Sequence, residues 1–160
     1  MSIIKKEPLT TDLVNGKISK TDLRIDFFGE VDELSCLIME FIHYVDDKKL
    51  EMELRKVVKI LSVALAEVAG GYSHIGELHV NELHELTLYY EQLVGPFKEF
   101  VLPGETLLGA KCHVLRTVTR RAERAYARAY EAHGGSELIF AYLNELSKLF
   151  FAIARSFDER

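Results

Sequence analysis

Proline is scarce in this chain, with three in 160 residues at positions 8, 96 and 103, so helices can run long between them. Apolar runs of bilayer-spanning length are missing altogether. The N-terminal stretch MSIIKKEPLTTD lacks the apolar core and small-residue cleavage site of a secretory signal, and a cytoplasmic protein with no membrane partner is expected. Cysteine is nearly absent: Cys36 and Cys112 both fall inside helical patterns, without the close spacing of a metal knuckle, and are expected to be reduced, buried thiols. An excess of positive charge is missing too. The formal net charge is −5 and the isoelectric point is near 5.7, which argues against nucleic acid as the partner. No stretch alternates polar and apolar residues with a period of two, so strands are not expected, and neither repeats nor low-complexity segments occur.

What is present is helical periodicity. Val31, Leu34, Ile38, Phe41, Ile42 and Val45 recur on one face. A second pattern runs through Leu50, Leu54, Val57, Leu61, Ala64, Leu65 and Val68 and stops at Gly70-Gly71. A third, from about Gly76 to Val94, ends before Pro96, and a fourth begins after Pro103-Gly104 and ends at Gly134-Gly135. Ser136 is placed to cap a fifth, with Ile139, Leu143, Leu146, Phe150, Ile153 and Phe157 on its apolar side. Short connections between long amphipathic helices predict an all-α fold, an antiparallel bundle of about five helices forming one domain over residues 1–160.

Within that acidic chain, LRTVTRRAER, residues 115–124, holds four arginines in ten residues. On a helix Arg116, Arg120 and Arg124 are spaced i, i+4, i+8 and share a face, with His113 near its start. Val114, Leu115, Val118, Ala122 and Ala125 are then expected to face the bundle, and Glu123 lies within reach of Arg120 at i, i+3. Such a row reads either as a solvated face laced with weak ion pairs or as an anion site, because guanidinium groups stay charged and their planar forks match phosphate oxygens. The histidines do not form a metal site by spacing. His79 and His84 are five apart and share no helix face, and Glu40 with His43 has no second copy of its kind, so no metal ligands are assigned.

Four segments in order carry a more specific signal: SKTDLRIDFFGEVDELS (19–35), FVLPGE (100–105), the arginine helix, and YLNELSKLFFAIAR (142–155). Together they resemble the PduO-type ATP:cob(I)alamin adenosyltransferases, over nearly the whole chain. The resemblance implies a cobalamin adenosyltransferase-like helical bundle that assembles as a homotrimer with sites between subunits and serves vitamin B12 metabolism. Its reaction moves the 5′-deoxyadenosyl group of ATP to the cobalt of cob(I)alamin, releases triphosphate, and uses Mg2+ or another divalent cation. The corrinoid is itself the nucleophile, so the protein must position two large ligands and stabilise charge on the leaving triphosphate. By the same resemblance Arg116 pairs with Asp32, and with Arg120, which reaches the phosphates, these form the catalytic set. Thr10, Thr11, Lys17, Lys20, Arg121, Glu123 and Asn144 join Arg120 on the nucleotide side. Phe100 is implied to lie under the corrin and displace its lower axial ligand, which eases reduction of the cobalt to the nucleophilic state.

The chain departs from the family pattern in its N-terminal segment, residues 1–20. There the family carries the glycine-rich T-x-T-G-D-x-G-x-T, whose backbone amides approach the triphosphate. IIKKEPLTT stands over it, so Lys6 and Leu9 replace the two glycines, Glu7 replaces the aspartate and Pro8 removes a backbone donor, while Thr10 and Thr11 remain. Glu105 stands where the family has a glycine after LPG. These changes leave a second expectation beside the enzyme: a non-catalytic paralogue that binds corrinoid or nucleotide, or a trimeric helical scaffold.

Overall fold

Five α-helices follow a short β-hairpin in the computed structural model, which describes residues 7–96 and 102–159. Strand β1 (Thr10–Leu13) pairs antiparallel with β2 (Gly16–Ser19), Thr10 opposite Ser19 and Asp12 opposite Lys17. This corrects the expectation of no strands. Strands of four residues are too short for period-two patterning to register; the legible signal was Asn15-Gly16, a hairpin-turn dipeptide, with Gly16 at φ 122°. Asn15 packs so closely on Gly70 that a Cβ there would fall 2.7 Å from its amide nitrogen, which seats the hairpin on the end of the second helix.

The helices are α1 (Leu23–Phe41, continued by a 3-10 turn, Ile42–Tyr44), α2 (Lys48–Val68), α3 (Glu77–Val94), α4 (Leu107–His133) and α5 (Glu137–Asp158). Local chemistry sets their starts. Asp22, Asp47, Thr106 and Ser136 each accept a backbone N–H from the first turn of the helix they precede. At α3 the Gly76 N–H donates instead to His79 Nδ1 (3.0 Å), which makes that histidine a cap. Asp22 also receives both forks of Arg24 at 2.9 Å and lies 3.2 Å from His133 in the last turn of α4, joining the start of α1 to the end of α4.

Helix α5 is the centre of the bundle, packing on α3 and α4, while α1 packs on α4 and α2. Ile139, Tyr142, Leu143, Leu146, Leu149, Phe150 and Ile153 of α5 are all buried with Phe27, Val31, Leu34 and Ile38 of α1. Burying a large apolar side chain contributes about 1.5–3 kcal/mol, so this stripe is the main source of stability. The Tyr126 hydroxyl donates to the Ser136 carbonyl and accepts its N–H, both at 2.9 Å, fixing the α4–α5 turn; burial pushes its phenol up to about 12. Glu145, buried on α5, sits 3.0 Å from His84 of α3 and accepts from Lys148. Two expectations about burial fail. Val114 is 49 % exposed and Cys36 is exposed; only Cys112 is the buried thiol expected, and burial pushes its pKa upward. Among the described residues no helix is long and apolar enough to cross a membrane.

Candidate active site

The arginine helix is occupied unevenly. Arg121 is paired with both Glu30 and Glu33 of α1, and Lys111 with Glu40 at 2.8 Å. These contacts run in opposite directions along the two helices, so α1 and α4 are antiparallel. Asp32 stands between the two partners of Arg121 and therefore lies level with Arg120 and Arg121. Arg116 is more than a turn further along, half-buried, with its Nε donating to His113 Nδ1 at 3.3 Å. The pairing of Asp32 with Arg116 is thus not made within one chain: the two sit at different levels, and Asp32 points to solvent. Glu123 makes no ion pair with Arg120 among the described residues.

The level of Asn144 follows from α5. The Gly135-containing turn between α4 and α5 makes these helices an antiparallel hairpin, and His113 of α4 meets Phe151 of α5 edge-on with ring centroids 6.1 Å apart. Seven residues on from His113 is Arg120, and seven back from Phe151 is Asn144, so the two are brought to the same level about 10 Å away at 1.5 Å per residue. Asp32, Arg120 and Asn144 are all exposed, and among the described residues no side-chain hydrogen bond or ion pair of theirs is formed within the chain. Helices α1, α4 and α5 therefore present one band of three unmatched polar groups.

The N-terminal residues assigned to the nucleotide fall on the hairpin. Lys17 pairs with Glu7 at 2.5 Å and Thr10 Oγ1 donates to the Glu7 carbonyl at 3.2 Å; Thr11 is half-buried on the other face of β1, and Lys20 is exposed just beyond β2. Glu7 thus occupies two of the groups expected to meet phosphate. Both partners of the Lys17 pair are more than half exposed, so the contact is worth at most about 1 kcal/mol and yields to a stronger anion. Phe100, Lys5 and Lys6 lie outside the described residues. Beside Pro96 opens a cleft of about 420 Å³ lined by Leu88, Glu91, Gly95, Pro96, Phe151 and Arg155. Neither this cleft nor another of about 350 Å³, at the end of α4 around Arg24, His133 and Ser136, contains Asp32, Arg120 or Asn144. Among the described residues no group of three or more His, Cys, Asp or Glu side chains gathers to hold a metal.

Sequence reasoning missed the pairing of Arg121. Glu30 and Glu33 were visible in GEVDELS, but nothing in the linear order said which arginine would meet them. Likewise His113 looked like a helix-start residue; its contacts with Phe151 and Asp158 (3.7 Å) are tertiary.

The cobalamin adenosyltransferase family model matches residues 5–157. The chain belongs to that family. It is 34% identical over 154 residues to a corrinoid adenosyltransferase of Citrobacter freundii, covering 91% of this chain and 88% of that one. It is also 34% identical over 152 residues to a cobalamin adenosyltransferase of Cupriavidus metallidurans, covering 91% and 81%. Among solved structures, a variant PduO-type ATP:corrinoid adenosyltransferase from Lactobacillus reuteri, complexed with cobalamin and ATP, superposes with a TM-score of 0.88 at 27% identity over 98% of this chain and 91% of that one. Another variant of that enzyme, complexed with ATP, gives the same TM-score at 28% identity, covering 98% and 94%.

Proposed function

We propose that this chain is a corrinoid adenosyltransferase that moves the 5′-deoxyadenosyl group of ATP to cob(I)alamin. The cobalt–carbon bond forms as the bond from C5′ to the triphosphate oxygen breaks, and the triphosphate leaves with that electron pair. The observation that carries the site assignment is that Asp32, Arg120 and Asn144, all exposed and without a side-chain partner in the chain among the described residues, share one level of α1, α4 and α5. Family membership and relatives with this activity support the reaction; a neighbour's complex with ATP and cobalamin supports the ligands.

In this reading Arg120 meets the triphosphate and offsets the charge that grows on it, and Asn144 orients the nucleotide from the same level. Lys17, Lys20, Thr10 and Thr11 approach from the hairpin. Arg121 has a different part from the one its motif implies: held by two carboxylates of α1, it keeps α1 against α4 and so keeps Asp32 level with Arg120. In a homotrimer Arg116 of a neighbouring subunit completes Asp32, a reading supported by an aspartate with no ion-pair partner in its own chain among the described residues. A divalent cation would be held by the nucleotide's own phosphates and would help to neutralise their charge. Phe151 and the adjacent cleft, about 10 Å from the Arg120 level, form the corrin side together with Phe100. The whole protein works in the cytoplasm in vitamin B12 metabolism.

Incubation of the protein with ATP, Mg2+ and chemically reduced cobalamin tests the reading. Adenosylcobalamin and triphosphate are expected in equal amounts. Orthophosphate and diphosphate in place of triphosphate, or no cobalt–carbon bond, would sink it.

A further inference from the structure

Gly109, His113 and Arg116, spaced i, i+4 and i+7, lie on one face of α4, and Asp158 at the end of α5 packs against that face. The seat for the Asp158 carboxylate exists because position 109 is glycine: a Cβ there would stand 1.9 Å from Oδ1. The carboxylate is firmly held. It accepts the Gly104 N–H (3.1 Å), the Thr106 N–H (2.9 Å) and the Thr106 hydroxyl (2.9 Å), and its side chain is 4 % exposed. From that seat Oδ2 faces His113 Nε2 at 3.7 Å, while Phe151 meets the imidazole edge-on.

On its other nitrogen the same ring meets Arg116, whose Nε donates to His113 Nδ1 at 3.3 Å. A guanidinium can only donate, so Nδ1 carries a lone pair and the proton of the neutral ring sits on Nε2, towards the carboxylate. Both neighbours of the ring thus demand one tautomer. Burial, and next the Arg116 charge, lower the His113 pKa against a smaller opposing pull from Asp158, which favours that neutral ring. The contact with His113 is the one hydrogen bond of the Arg116 side chain among the described residues. It takes Nε and leaves both terminal amino groups of the fork unspent.

We infer that His113 is a positioning residue for Arg116: Asp158 fixes the ring proton on Nε2, and the Nδ1 lone pair holds the guanidinium by Nε, with its terminal fork ready for a carboxylate outside the chain. The inference rests on the reading above in which Arg116 completes Asp32 of a neighbouring subunit. A free arginine explores many rotamers, and an arriving carboxylate would have to order it. One already tied at Nε presents two parallel N–H groups with less freedom left to lose.

Two substitutions separate this role from packing. His113→Asn keeps an acceptor oxygen at the level of Nδ1 and gives up the ring; His113→Phe keeps the ring against Phe151 and gives up the acceptor. Adenosylation by the full chain is measured with ATP, Mg2+ and chemically reduced cobalamin, with Arg116→Ala alongside. His113→Phe is expected to lower kcat/KM about tenfold and His113→Asn by no more than about threefold. Placed on Arg116→Ala, His113→Phe should add less than about twofold, because it acts through that guanidinium. The imidazole nitrogen chemical shifts of the parent, assigned by sequential correlation, need neither variant to fold; they should show His113 as a neutral ring protonated on Nε2 at neutral pH. A ring protonated on Nδ1, a His113→Phe variant as active as the parent or more active than His113→Asn, or additive losses in the pair would each overturn the inference. A parent without activity, or Arg116→Ala with the parent's activity, would overturn the reading of Arg116 and the inference with it. An impaired Arg116→Ala beside an unimpaired His113→Phe overturns the inference alone.

Discussion

Two adjacent arginines with the same chemistry have opposite surroundings, and that difference decides what each does. Arg120 is exposed and its guanidinium meets no carboxylate of its own chain among the described residues, whereas Arg121 meets two. Removing Arg120 should therefore leave the fold alone and cost transition-state stabilisation. A charge-assisted contact to triphosphate is worth roughly 1.5–3 kcal/mol, so Arg120→Ala is expected to lower kcat/KM by about one to two decades with a melting temperature close to the parent's, read from steady-state assays and thermal melts. Arg121→Ala should behave the other way round. It loosens α1 from α4, so the melting temperature drops and activity falls in step with stability; unchanged melting would show that the glutamates contribute nothing to the α1–α4 contact. Cys112 provides a further check at this scale: its thiol is buried and its pKa is raised by that burial, so a thiol reagent should reach it only after unfolding. The sequence identified these arginines as a group. Only the packing distinguished Arg121, because the carboxylates that claim it lie about ninety positions earlier in the chain.

At the scale of elements, capping residues and hairpin account for most of what is specific to this chain. The Arg24 side chain, by hydrogen bonding, holds the Asp22 carboxyl well below the usual carboxylate range. Burial works against ionisation of Asp158, but bonds from Thr106 and Gly104 outweigh it and leave its pKa lowered as well. A carboxyl with a depressed folded-state pKa stabilises fully above its unfolded value near 4, and that stabilisation is lost as pH falls through the folded value. The melting temperature should therefore fall steeply below about pH 4, and Asp22→Asn should start lower at neutral pH and converge with the parent in acid. Parallel curves down to the lowest pH would refute the coupling. The hairpin makes a separate prediction. Glu7 holds Lys17 and Thr10, and Lys6, Pro8 and Leu9 stand where the family pattern puts a glycine loop, so ATP should bind more weakly than in relatives with that loop. Lys6→Gly, Glu7→Asp, Pro8→Lys and Leu9→Gly together are expected to tighten ATP binding by a few kcal/mol at most, measured by calorimetry. Helix patterns were legible because each helix is long enough to repeat its period several times; a four-residue strand is not, which is why the hairpin was signalled only by Asn15-Gly16.

For the whole molecule, the central expectation is that one chain is an incomplete site. Asp32, Arg120 and Asn144 share one exposed level that neither the cleft beside Pro96 nor the one around His133 includes, and Leu107 and Val114 stand exposed along α4. Light scattering at micromolar concentration should give about three times 18.3 kDa; a monomer retaining full activity would rule out a shared site. The sequence by itself determined the five helices, their order and their stops, since those depend on local periodicity, caps and glycines. It also determined the family, because four motifs in order survive at their proper spacing. Tertiary structure alone decided the rest. Which arginine is neutralised and which aspartate lies level with which asparagine both depend on the register of antiparallel helices. That register is set by the meshing of buried side chains such as Phe27, Tyr126 and Phe150, and no local pattern in the chain encodes it.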